Sequence, residues 1–241
     1  MNPHKLTLLL CLFLASSSQP IVVAQQQRKP PAGGRIAVVV DERLAGLRNT
    51  PQLSGRLLRR LNRGRLVAIR ASKTTSDGVV FFLVNVTSRT HGWIQREAVV
   101  SASRAGDDQR LLRLINASQG FEQIVRARIF LDHFPRSVLR PEVLLLLSTT
   151  AELVADKLSH DAATRLTGIT PEAPEFSYFV NYIGLDRYSR QRVNFVFDQA
   201  TKRFHYDGAA LRELVRRYPK SSQAAEARKR LEVLYSQLGT R

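Results

Sequence analysis

Apolar and polar positions divide the chain into stretches of different period. Leu6 to Ala15 (LTLLLCLFLA) is apolar except for Thr7 and follows Lys5; Ser16 to Pro20 is polar, and Val22-Val23-Ala24 ends on a small residue before a Gln run. A weakly basic start, a short apolar stretch and a small-residue exit predict a secretory signal over residues 1–24, with the mature chain starting at Gln25. The stretch is too short to span a bilayer, which takes about 20 residues. The longest later run without a polar residue, Val79 to Val84, has six, so no transmembrane segment is expected after cleavage. Residues 25–34 (QQQRKPPAGG) carry Gln, Pro and Gly without apolar periodicity and predict a disordered linker.

From Arg35 the pattern becomes strand-like. Ile36 to Val40 (IAVVV), Leu66 to Ile69 after Gly64, Val79 to Val86 after Asp77-Gly78, Gly92-Trp93-Ile94 and Ala98 to Val100 are short β-branched or aromatic runs between turn signals. That spacing predicts a small all-β barrel. Ser101 to Asp108 (SASRAGDD) is small, polar and turn-rich and marks a boundary. Helical spacing follows. Asp107 is placed to cap a helix carrying Leu111, Leu112, Leu114 and Ile115. Phe121, Ile124, Val125, Ile129 and Phe130 predict a second helix ending near Phe134, since Pro135 cannot continue it. Pro141 opens a third, whose buried face is expected to hold Val143, Leu144, Leu147, Leu153, Val154 and Leu158. Thr167 to Glu175 reads as a loop and Phe176 to Tyr188 as an aromatic-rich stretch. Val193, Phe195 and Phe197 alternate, as do Phe204 and Tyr206, which predicts a hairpin turning at Gln199 to Lys202. Helical spacing resumes at Leu211, Leu214, Val215 and Tyr218, stops at Pro219 and restarts through Ala224, Ala227 and Leu231. The expected architecture is thus multidomain: a small all-β barrel over 35–102 and a mainly α-helical domain over 103–241 with an inserted hairpin.

The helical part contains an echo. Phe134-Pro135-Arg136-Ser137 returns as Tyr218-Pro219-Lys220-Ser221, and Phe130, Leu131, Val143 and Leu147 align with Leu214, Val215, Ala227 and Leu231. An aromatic before Pro ends one helix, and Ser is placed to cap the next, as in a repeated helix–turn–helix unit.

Composition sharpens this picture. The 241 residues carry 37 Lys and Arg against 20 Asp and Glu, a net charge of +17. Removing the signal removes Lys5 and the single cysteine, Cys11. The mature chain therefore has no disulfide, no thiolate metal ligand and no cysteine nucleophile. Its basic balance calls for an anionic partner. Export argues against nucleic acid and for peptidoglycan carboxylates, lipid headgroups or phosphorylated glycans. Residues 35–102 hold 12 basic and 4 acidic residues and are the more basic part per residue.

Residues 35–102 resemble the bacterial SH3 family. The resemblance is carried by the first strand Ile36 to Val40, Leu47-Arg48 followed by Pro51, Leu61 and Gly64 before Leu66 to Ile69, the aromatic pair Phe81-Phe82, and Gly92-Trp93-Ile94. Gly46 stands where the family often has Asn, and Phe81-Phe82 where it usually has Trp. The aromatic-Pro-basic-Ser signature resembles the tetratricopeptide-type repeats of periplasmic cell-division coordinators and outer-membrane assembly lipoproteins. These resemblances imply binding: an SH3-like barrel that contacts the cell wall and a tetratricopeptide-like domain that scaffolds a protein partner.

No catalytic signature is present: no Gly-x-Ser-x-Gly, His-Glu-x-x-His, Cys-x-x-Cys, phosphate-binding Gly loop or dinucleotide fingerprint. His91, His133, His160 and His205 are scattered, so neither a metal nor another cofactor is expected. The residues expected to bind are Arg56, Arg59, Arg60, Arg63 and Arg65, clustered within ten positions, with Phe82 and Trp93, the only Trp, as aromatic platforms. The expectation is a non-catalytic binding and scaffold protein of the cell envelope, periplasmic or secreted. Its barrel would meet peptidoglycan or another anionic polymer. The alternative is a cell-wall hydrolase, or a subunit of one, without a recognisable motif.

Overall fold

The computed structural model describes residues 33–165 and 184–237. The expected signal, most of the expected linker, the Thr167–Glu175 loop and most of the Phe176–Tyr188 stretch lie outside the described residues. An antiparallel sheet region comes first and a helical region follows.

The sheet has strands β1 (Arg35–Val39), β2 (Gly46–Arg48), β3 (Leu57–Arg60), β4 (Leu66–Thr74), β5 (Val80–Asn85), β6 (His91–Gln95) and β7 (Val99–Val100). They lie in the order β3-β2-β6-β5-β4-β1-β7, with β3 at one edge. A register shift at Ile69/Ala71 bends β4 against β5. Gly92 lets β6 come close to β2: a Cβ there would lie 2.7 Å from the Arg48 carbonyl oxygen. A first core fills one face of the sheet with Ala37, Val39, Leu47, Leu61, Val67, Ile69, Phe82, Val84, Ile94 and Val99.

The helical region holds α1 (Asp107–Asn116), α2 (Gly120–His133), α3 (Arg140–Arg165), α4 (Leu185–Ser189), α5 (Ala209–Arg217) and α6 (Ser222–Gln237) among the described residues. The hairpin β8 (Phe195–Asp198) and β9 (Arg203–Tyr206) sits between α4 and α5. No helix of the described residues is long and apolar enough to cross a membrane. Phe204 and Tyr206 are fully buried against α3, and the Ser159 hydroxyl accepts the Phe204 N–H at 2.8 Å. The Tyr206 hydroxyl accepts the Ala210 N–H at 2.8 Å, meeting one of the free amides at the start of α5. Burial pushes its pKa up to about 12. Leu153 is 66% exposed and does not belong to the buried face of α3, because Val154 and Ala155 take the core-facing positions beside it.

The two echo segments form the same turn. Phe134 N–H and Tyr218 N–H each return to the carbonyl four residues back, at 2.9 and 2.8 Å; Ser137 N–H and Ser221 N–H then return to Phe134 and Tyr218. The serine hydroxyls differ. Ser137 accepts the Leu139 N–H at 3.2 Å, whereas Ser221 donates back to the Tyr218 carbonyl at 2.9 Å. The copies are also linked, since Arg140 donates to the Tyr218 hydroxyl at 2.8 Å and pairs with Glu213 at 3.3 Å.

Sheet and helices share buried surface. Ala37 and Val39 face the sheet's own core, while Val38, Val40 and Val100 belong to the helical core with Leu111, Ile124, Phe130 and Leu144. Ala37–Val40 are thus buried on both faces, where alternation is lost, while Ile36 stays exposed at the start of the run. The junction is completed by polar groups. Asp107, expected to cap α1, is its first helical residue and is only 3% exposed. Its carboxylate instead accepts the Ser101 N–H at 2.7 Å and pairs with Arg104 at 2.7 Å and Arg110 at 3.4 Å. Arg110 also donates to the carbonyls of Glu97 and Val99. The carboxylate is held inward because these two guanidinium groups need a counter-charge where water is scarce.

Candidate functional site

Strands β2 and β3 form a hairpin whose loop, residues 49–56, is held by its own side chains. Arg48 donates to the Gly55 carbonyl at 2.7 Å, and Asn49 N–H returns to Arg56 at 3.2 Å. Gly55 has no room for a side chain, because the Thr50 hydroxyl occupies the Cβ position. All four residues of β3, Leu57-Leu58-Arg59-Arg60, are exposed, as is Arg56. Leu53, Leu57 and Leu58 are 52%, 42% and 44% exposed.

Cross-strand pairing extends this surface over the sheet. Leu57 lies opposite Arg48, Arg48 opposite Trp93, and Trp93 opposite Leu83. Directly opposed residues share a face, and this row lies on the face away from the Leu47–Phe82–Ile94 core. Trp93 and Leu83 are half-buried. Between Leu44 and Ser76 the chain carries eight Lys and Arg and no Asp or Glu. The hairpin therefore stands in an uninterrupted positive field.

The five expected arginines do not stay together. Arg56, Arg59 and Arg60 are exposed and have no side-chain partner among the described residues. Arg63 turns to the junction: its side chain is 13% exposed, pairs with Glu122 at 2.8 Å and donates to the Val40 carbonyl at 3.2 Å. Arg65 is half-buried and donates to the Val86 carbonyl at 3.4 Å. Phe82 is 5% exposed and fills the core, with the Arg104 guanidinium 5.3 Å from its ring, so it offers no platform. Trp93 keeps part of its ring at the surface beside Arg48.

Sequence reasoning left out the exposed leucines. The signal was available: Leu57 and Leu58 are adjacent inside a basic run, so at most one can face a core if the segment is a strand. It also left out the arginines that work inside the molecule. Arg126 is 7% exposed, donates to the Ser118 hydroxyl and to the Val40 carbonyl at 3.4 Å, and pairs with Glu122 at 3.5 Å. Burial lowers the pKa of Arg110 and Arg126 below the usual arginine value. These groups bridge sheet and helices and are not free to meet a ligand. Among the described residues no group of three or more His, Cys, Asp or Glu is placed to hold a metal ion. His133 lines a cleft at the junction with Val38, Val100, Ser101 and Ser103, where burial lowers its pKa.

What the arrangement can do chemically is hold anions at a fixed, partly apolar surface. A guanidinium fork matches carboxylate and phosphate oxygens two at a time. No family model, no curated protein and no solved structure matches this chain.

Proposed function

We propose that this chain is an exported, non-catalytic binding and scaffold protein of the cell envelope. In this reading the sheet region is a bacterial SH3-like barrel that contacts peptidoglycan or another anionic polymer. The helical region is tetratricopeptide-like and holds a protein partner. The observation that carries the binding role is the exposure of Arg59 and Arg60 on edge strand β3 and of Arg56 just before it, with no side-chain partner for any of the three among the described residues. Arginines that stabilise the fold have partners, as Arg63, Arg110 and Arg126 do. The paired turns at Phe134 and Tyr218, with matching backbone hydrogen bonds, support a repeated helical unit.

Co-sedimentation of the full mature chain with purified peptidoglycan sacculi tests it. Binding should be strong at about 0.1 M salt and fall steeply by about 1 M, as the Debye length shrinks from about 10 to 3 Å. Changing Arg56, Arg59 and Arg60 to Gln should abolish the low-salt binding. A native chain that stays in the supernatant at low salt sinks the peptidoglycan reading.

A further inference from the structure

We propose that the β2–β3 hairpin seats edge-on, with the free edge of β3 leading, on the anionic headgroup surface of a lipid bilayer, so that Leu53, Leu57 and Leu58 enter the acyl boundary and Arg56, Arg59 and Arg60, projecting from both sides of that edge, hold lipid phosphates. This rests on the same basic surface as the reading above, and it names a different partner for it.

The leucines decide between partners. A glycan strand with short polar peptides offers carboxylates to the arginines and no hydrocarbon to the leucines. A bilayer surface offers both. Three leucines exposed by 42–52% next to three arginines without a side-chain partner among the described residues have the composition of an interfacial contact, apolar groups inserted and cations at the phosphates. Trp93, in the same cross-strand row as Leu57, adds an amphipathic ring of the kind that sits well at headgroup depth. The absence of any acidic residue from Leu44 to Ser76 means that nothing on the hairpin itself repels an anionic surface. The loop is also pre-formed: the Arg48–Gly55 bond fixes it, so little ordering is lost on docking.

Two other occupants fit the edge less well. A second copy pairing through β3 would crowd Arg56, Arg59 and Arg60 of both copies along one short seam, with no acidic residue of either hairpin to offset them. An extended peptide added to β3 needs a long flat edge. This one has four residues, a register shift opposite Leu47/Arg48 and two arginines of its own, all devices that blunt strand addition.

The experiment uses the full mature chain with vesicles of phosphatidylglycerol and phosphatidylethanolamine, with pure phosphatidylcholine vesicles and, in parallel, with sacculi. The expected result is binding to the anionic vesicles only. It should weaken roughly a hundredfold when Arg56, Arg59 and Arg60 become Gln, the size expected of three cations at an anionic surface. It should weaken at least about tenfold when Leu53, Leu57 and Leu58 become Ser, through lost apolar burial. Lipids brominated near the headgroup should quench Trp93, which sits about 10 Å from Leu57, two strand spacings away. If the triple leucine variant does not fold, Leu53→Ser alone decides, because Leu53 lies in the loop and is half exposed. Failure to bind anionic vesicles overturns the proposal. So does a folded leucine variant that binds as well as the native chain, since charge alone would then suffice. Sacculi separate the two readings. Binding to sacculi without vesicles removes the lipid proposal and leaves the polymer reading; binding to vesicles without sacculi does the reverse; binding to neither removes both.

Discussion

The junction between sheet and helices and the β2–β3 hairpin are both rich in arginine, and they use it in opposite ways. At the junction Arg63, Arg110 and Arg126 each meet a carboxylate and a backbone carbonyl, and strands β1 and β7 are apolar on both sides. On the hairpin Arg56, Arg59 and Arg60 meet no partner among the described residues, and the leucines between them face solvent. Residue type is the same; what separates the regions is whether the fold supplies the counter-charge. Basic composition therefore splits into a structural share and a share left for an outside partner.

Breaking the junction should have the largest effect. Asp107→Ala removes the one carboxylate shared by Arg104, Arg110 and the Ser101 amide. The two guanidinium groups are about a quarter exposed, so the cost is set near the low end for a buried pair, about 3 kcal/mol. Urea unfolding should show a lower midpoint with an unchanged slope. A loss near zero would mean that the junction does not depend on this carboxylate.

Glu122→Ala should cost less. Its side chain is 54% exposed, yet it is the carboxylate for both Arg63 and Arg126, and Arg126 is buried. We expect about 1 to 2 kcal/mol, above an exposed pair and below a fully buried one. The same unfolding measurement checks it.

His133 sharpens the comparison through pH. Burial, the main cause, lowers its folded pKa below the ordinary 6.5, while Asp132 opposes the shift. The unfolded chain then takes up the proton first. Stability is full above about pH 6.5 and is lost as pH falls through that value towards the lower folded one. Thermal unfolding at pH 7.5 and 5 should show a drop that His133→Gln reduces. The β2–β3 hairpin holds no histidine, so anion binding there should not follow the same curve.

Much of this fold is legible in the sequence, and the exceptions have physical causes. The longer helices, their proline stops, the repeated aromatic-Pro turn and the β8–β9 hairpin follow from periodicity, because each element buries one clear face; the short α4 does not, lying mostly in the stretch that reads only as aromatic-rich. Strands β2 and β3 escape the pattern: Leu57-Leu58-Arg59-Arg60 lies at an edge, exposed on both sides, so nothing imposes alternation. The sharing of Val38, Val40 and Val100 with the helices is hinted at by the unbroken run IAVVV, but which surface covers the second face is a long-range matter. The candidate site was half legible. Clustering in sequence found Arg56, Arg59 and Arg60, but could not know that Arg63 and Arg65, on either side of Gly64 in the turn after β3, point at other elements. Phe82 and Trp93 lie on β5 and β6, where strand alternation sends one inward and the other to the outer face.

The smallest effect on stability should come from the hairpin itself, and it is the sharpest check on the comparison. Arg56 and Arg63 lie seven positions apart in one basic run. Arg56→Gln removes an exposed side chain with no partner among the described residues, so stability should change by no more than about 0.5 kcal/mol. Arg63→Gln removes the bond to Val40 and the ion pair with Glu122, and so should cost about 1 to 2 kcal/mol, close to Glu122→Ala. The double variant Arg63→Gln with Glu122→Ala should then lose less than the sum of the two, because both changes delete one shared interaction. Arg56→Gln with Glu122→Ala should be additive, since no contact joins them. Equal losses for Arg56→Gln and Arg63→Gln, or coupling between Arg56 and Glu122, would mean that the hairpin arginines are structural after all, and would leave the proposed binding surface without its cations.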